Sequence, residues 1–169
     1  MDLFEAIQKR HSVRSYRNDP VEEEKLVQVL EAARLAPTAH NNQAFKVVVI
    51  RTSGREADLK KIYPRGDFFV QAPIVLGIFS NQAESWVRWD GTNYGWVDAS
   101  IVADHIILAA TALGLGTCWI GAFDAQAARD VVGLGKDYEP VAFTPLGYPG
   151  SAEVGVKRRK PIDELVVYK

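Results

Sequence analysis

The chain has 169 residues, of which 47% are apolar and 24% charged, with 20 basic against 21 acidic side chains and a net charge of −1. That length supports one domain, residues 1–169, with a sizeable buried core, and the composition excludes a disordered or fibrous protein. The balanced charge offers no bulk attraction to nucleic acid or to a membrane surface, so any anion recognition has to be local.

Leu3, Phe4 and Ile7 recur at helical spacing and predict a short first helix over residues 2–9. Asp2 and Glu5 in its first turn are unlike a secretion signal. Residues 10–17, RHSVRSYR, follow at once. Asn18-Asp19-Pro20 reads as a turn, and VEEEKLVQVLEAARLA as an amphipathic helix with Leu26, Val29, Leu30 and Ala33 on one face and acids in its first turn. Pro37 stops it, and PTAHNNQ continues as a polar loop.

FKVVVIRT predicts a strand buried on both faces, READLKKIY a charged helix, and IVLGIF a second buried strand after FFVQAP. Residues 81–96 read as irregular and carry Trp86, Trp89 and Trp96. VDASIVADHIILAATALGLG is the longest helix candidate, closed by Gly114 or Gly116. Being apolar on most sides, it has to be buried in the core or in a subunit interface. No apolar run reaches the ~20 residues of a membrane span, so no membrane role is expected.

TCWIGAF reads as a short strand or extended loop, DAQAARDVVGL as a small helix capped by Asp124, and YEPVAFTPLGYPG as a third long strand. The tail VKRRKPIDELVVYK holds a second basic cluster. Alternating strands and helices without repeats place the fold in the α+β or α/β class.

Two basic clusters, Arg10, Arg14 and Arg17 near the start and Lys157, Arg158, Arg159 and Lys160 near the end, are either solvated faces or halves of an anion clamp. Arginine's planar fork suits phosphate oxygens, and Ser12 adds a hydroxyl. Asn41, Asn42 and Gln43 are either an ordinary polar turn or amide partners for a heteroaromatic ligand. GLGTCWIG is not a dinucleotide fingerprint, because its glycines follow a helix rather than a strand. Gly121 remains a place where a flat ligand could approach main-chain amides. Cys118, the one cysteine, reads as a packing residue and points to a reducing compartment, so a cytoplasmic location is expected. His11, His40 and His105 have no metal-ligand spacing, and no metal is expected.

In this order, RHSVRSY, APTAHNNQAF, LGLGTCWIGAF and PLGYP followed by KRRKP resemble the nitroreductase family of flavin-dependent oxidoreductases, in particular its short members. The resemblance implies an α+β fold, a three-layer α/β/α sandwich around a mostly antiparallel sheet. It also implies an obligate homodimer joined through the long helix, with FMN at the subunit interface. Arg10 and Arg159 are then expected at the FMN phosphate, with Lys157 or Arg158 as further candidates. Ser12 and the neighbouring His11 are expected along the ribityl-phosphate region, and Arg14 at N1 and O2 of the ring. Pro37, Thr38, Asn41 and Gln43 are expected to reach the flavin from the partner subunit, with the Trp119-Ile120-Gly121 backbone beside N5.

The activity implied is ping-pong hydride transfer from NADH or NADPH through flavin N5 to a nitroaromatic, a quinone or a similar small acceptor. A flavin-destroying or dehalogenating relative and a non-catalytic flavin-binding regulator are the alternatives. The chain departs from the family pattern at Ala44-Phe45, where a proline-tryptophan pair is common, and at Thr38, where serine is usual. Its tryptophan-rich 85–96 segment lies where relatives diverge.

Overall fold

A computed structural model describes residues 1–151 and 156–169. Its elements in chain order are α1 (Leu3–Lys9), α2 (Glu23–Arg34), a 3₁₀ turn at Ala39–Asn41, β1 (Phe45–Arg51), α3 (Glu56–Ile62), α4 (Phe68–Gln71) and β2 (Ile74–Asn81). The long helix α5 (Gly95–Ala112), β3 (Gly116–Thr117), α6 (Ala125–Val132), β4 (Tyr138–Gly147) and a 3₁₀ turn at Ile162–Glu164 complete the chain.

The sheet has the order β1-β2-β4-β3 and every strand pair is antiparallel. β2 lies inside it and all eight of its residues are buried, as a continuous apolar run predicts. Alternation along the strand divides the core in two. Ile74, Leu76 and Ile78 face α2 and α5 with Leu26, Val29, Ala99, Val102 and Ile106. Val75 and Phe79 face the other way, with Leu59 and Ile62 of α3, Phe69 of α4, Ala128 of α6 and Phe143. The sheet is therefore covered on both faces, which is the three-layer α/β/α sandwich the sequence resemblance implies.

Several expectations change. β1 is not buried on both faces: it is an outer strand, and Lys46, Val49 and Arg51 are exposed. FFVQ forms a helical turn before β2. α1 forms as predicted but buries only Ala6, while Leu3, Phe4 and Ile7 face solvent in the single chain. Asp124 does cap α6, its carboxylate accepting the Ala127 N–H at 2.9 Å.

α5 has the length and apolarity of a membrane span, but one of its faces forms the core with α2 and the sheet. Its other side carries Trp96, Val97, Ser100, Ile101, Asp104 and His105 around an open apolar groove.

Candidate functional site

The RHSVR segment is fastened along β3. The Val13 N–H donates to the Thr117 carbonyl at 2.8 Å, and Ser12 pairs with Thr117 in parallel. Val13 and Tyr16 point inward, and the Tyr16 hydroxyl donates to the Val13 carbonyl at 3.0 Å. This approach needs Gly116, because a Cβ there would lie 2.8 Å from Val13 Cγ2. With the inward positions packed, Arg10, His11, Ser12 and Arg14 line the outside.

The tail returns to the same place. Lys157 Nζ donates to the Ile7 carbonyl at 2.7 Å, and Arg10, His11, Ser12, Arg14, Lys157, Arg158 and Arg159 together line an open cleft of about 510 Å³. Burial and then the charges of Arg10 and Arg159 hold the Lys157 ammonium below its usual pKa. Arg10, Arg14, Lys157, Arg158 and Arg159 have no ion pair with a carboxylate among the described residues. The other basic residues of the two motifs are used elsewhere. Arg17 pairs with Asp19 at 2.9 Å and lies over the Tyr148 ring, and Lys160 pairs with Glu164 at 3.5 Å.

Beyond Thr117, the Cys118 N–H donates to Thr144 Oγ1 at 3.1 Å. Cys118 itself is buried, and that burial raises its thiol pKa against the opposing effects of Arg14 and Ser12, in keeping with a packing role. Trp119 is 41% exposed, Ile120 exchanges two backbone hydrogen bonds with Phe143, and Gly121 is exposed. A Cβ at Gly121 would meet only Trp119 Nε1, at 3.8 Å.

Pro37, Thr38, Asn41 and Gln43 lie elsewhere. Their loop is tied to the first turn of α5 by the Ala39 N–H, which donates to Asp98 Oδ1 at 3.0 Å. The basic cleft adjoins the other end of α5, through a neighbouring pocket that Arg10 and His11 share with Thr111 and Gly114. Asp98 and Thr111 are 13 residues apart on α5, about 20 Å at the helical rise. The expected site residues thus form two groups at opposite ends of one helix, and a single chain does not bring them together.

Three non-glycine residues of the loop, His40, Asn41 and Gln43, adopt positive φ near +55°. Thr38 Oγ1 accepts the Gln43 N–H at 3.0 Å, and Asn42 Nδ2 donates to the Glu84 carbonyl at 3.0 Å. His40 stacks on Trp86, their ring centroids 5.1 Å apart, and Trp86 meets Tyr94 edge to face. The tryptophan-rich segment is therefore not irregular throughout. Val87 pairs with Asn93 across a hairpin braced by Arg88 and Asp90. Trp86 is a packing residue, whereas Trp89 at the tip is 93% exposed. Sequence reasoning gave Asp98 no role; an aspartate on the same helical face as Val102 and Ile106 of a mostly apolar helix was the available signal.

The molecule is an α+β domain, an α/β/α sandwich with a basic cleft beside β3 that has no carboxylate ion pair among the described residues. The sequence profile described as the nitroreductase family matches residues 7–66 and 62–148. The chain belongs to the nitroreductase family. A nitroreductase family protein from Clostridium difficile 630 superposes with a TM-score of 0.91 at 33% identity, covering 100% of this chain and 99% of that one. An FMN-dependent nitroreductase from Clostridium difficile R20291 superposes with a TM-score of 0.82 at 25% identity, covering 96% of each. A protein named NADH dehydrogenase from Thermus thermophilus is 27% identical, over 100% of this chain and 97% of that protein.

Proposed function

We propose that the protein is an FMN-dependent NAD(P)H oxidoreductase and that its FMN sites are shared between two copies of the chain. The observation that carries this reading is the cleft where Arg10, Lys157 and Arg159 crowd together without a carboxylate among the described residues. Clustered cations without a carboxylate among the described residues suit a polyanion, and a phosphate dianion with bidentate arginine partners fits that donor set. Ser12 supplies a hydroxyl beside it, and the exposed backbone at Gly121 leaves room for a flat ring. Arg14, in the same cleft, is assigned to the N1 and O2 edge, where a fixed positive charge stabilises the reduced ring.

The separation of the two residue groups along α5 supports a homodimer, because a second copy can bring its 37–43 loop to the first copy's cleft. The exposed Leu3, Phe4 and Ile7 on α1 and the open apolar side of α5 supply surfaces that such an assembly would cover. FMN held by these residues would supply hydride-transfer chemistry between NADH or NADPH and a small acceptor such as a nitroaromatic or a quinone. The relatives' names, an FMN-dependent nitroreductase and an NADH dehydrogenase, agree with this assignment. The cytoplasm is the proposed location, in keeping with the buried thiol of Cys118.

The test is an absorption spectrum of the purified protein with the released cofactor identified by mass, followed by NADH and NADPH oxidation with an artificial acceptor. One FMN per chain with turnover is the expected result. A colourless protein that takes up no added FMN would overturn the reading. Bound FMN without turnover would leave a flavin-binding protein that is not an oxidoreductase.

A further inference from the structure

Resting on the flavin reading, we infer that Asp98 is a positioning residue for the cofactor: from inside α5 it holds the Thr38–Gln43 loop in the shape that meets FMN. Asp98 is 2% exposed. One carboxylate oxygen accepts the Ala39 N–H at 3.0 Å, and the other is buried with no hydrogen-bond partner among the described residues. A buried carboxylate with half its acceptors unused is costly to the fold. Its side chain's hydrogen-bond partner, 59 residues away in sequence, belongs to the loop.

The loop needs such a tether. His40, Asn41 and Gln43 sit in the left-handed region, where side chains other than glycine are disfavoured and persist only when their surroundings fix them. Ala39 opens the 3₁₀ turn that leads into these residues. At the start of a turn, a backbone N–H has no partner within the turn and must find one outside. Asp98 Oδ1 supplies that partner from the helix layer. The Asn42 bond to Glu84 and the His40–Trp86 stack hold the far side of the loop, so Asp98 is its fastening to the helix layer. Without that fastening the loop is free to relax its three left-handed residues, and Thr38, Asn41 and Gln43 lose their common orientation.

The experiment measures FMN affinity by flavin-fluorescence quenching on purified full-length protein, with thermal unfolding recorded beside it. Asp98→Ala is expected to weaken FMN roughly tenfold, about 1.4 kcal/mol. Asp98→Asn keeps an acceptor for the Ala39 N–H and is expected to restore most of that affinity. Ala39→Pro suits the first position of a helical turn and removes the donor instead. In an Asp98→Ala background it is expected to add little, because both changes delete one bond.

Wild-type affinity in Asp98→Ala would overturn the assignment, as would Asp98→Asn losing as much as alanine or the two losses adding. Should Asp98→Ala fail to fold, Asp98→Asn combined with Ala39→Pro carries the test, and wild-type affinity there is equally fatal. A wild-type protein that binds no FMN removes the flavin reading and this assignment with it. A wild-type protein that binds FMN while the variants match it removes the assignment alone.

Discussion

Lys157 shows how the basic cleft is poised. Its ammonium is held below the usual lysine pKa first by burial and then by the charges of Arg10 and Arg159, so an anion placed beside it would offset part of that cost. Bound phosphate would raise that pKa again. FMN affinity is therefore expected to be full below the free protein's Lys157 value and to fall as pH rises from there toward the value in the complex. The cofactor-free fold behaves oppositely, gaining stability as the strained lysine deprotonates through the same alkaline window. Titrations at several pH values check both trends, and Lys157→Gln is expected to flatten them. Arg10→Ala and Arg159→Ala should each weaken FMN by about 1–3 kcal/mol, the scale of a charged hydrogen bond. Calorimetry on the double variant is decisive, since undiminished binding there is incompatible with phosphate in this cleft.

At the scale of elements, the junction of RHSVR with β3 ties the fold to the site. Val13 lies against a backbone with no room for a methyl group, so Gly116→Ala is expected to cost about 1–3 kcal/mol of stability by overpacking. A urea midpoint measures that loss. FMN binding should fall with it, because displacing Val13 moves Ser12 and Arg14.

This junction was only partly legible in sequence. By its residue types RHSVR was either a solvated face or half of an anion clamp, and its pairing with Thr117 spans more than a hundred residues and leaves no local pattern. β2 and α5 were legible because an unbroken apolar run has few other outcomes. The outer position of β1 was not, since a β-branched centre reads alike inside a sheet and at its border. Asp98 was hidden for the same reason as Thr117: its partner Ala39 is remote and is recognised through a main-chain N–H that any residue could have supplied.

For the whole molecule, the exposed apolar faces of α1 and α5 are the surfaces a homodimer would cover. Phe4 is 75% exposed and Trp96 49%, more open aromatic surface than a monomer gains from. Light scattering is expected to give twice the chain mass. Trp96→Asp changes an exposed residue at the start of α5, so it should leave the single-chain fold intact while lowering the mass and releasing FMN together. A monomeric variant that still retained FMN would contradict a shared site.

The length of α5 has a genetic consequence. Residues at one end of the helix and residues at the other would serve different flavins of the pair. A chain altered at Arg10 and a chain altered at Asp98 each weaken both sites of a homodimer, but a hybrid of the two concentrates both lesions in one site and leaves the other at full affinity. Co-expressing the two variants should therefore restore about a quarter of the sites if the chains assort at random. Two lesions within the same cleft, at Arg10 and Arg159, should restore none, so a cross between weakened variants can map which residues belong to which half of the cofactor's berth.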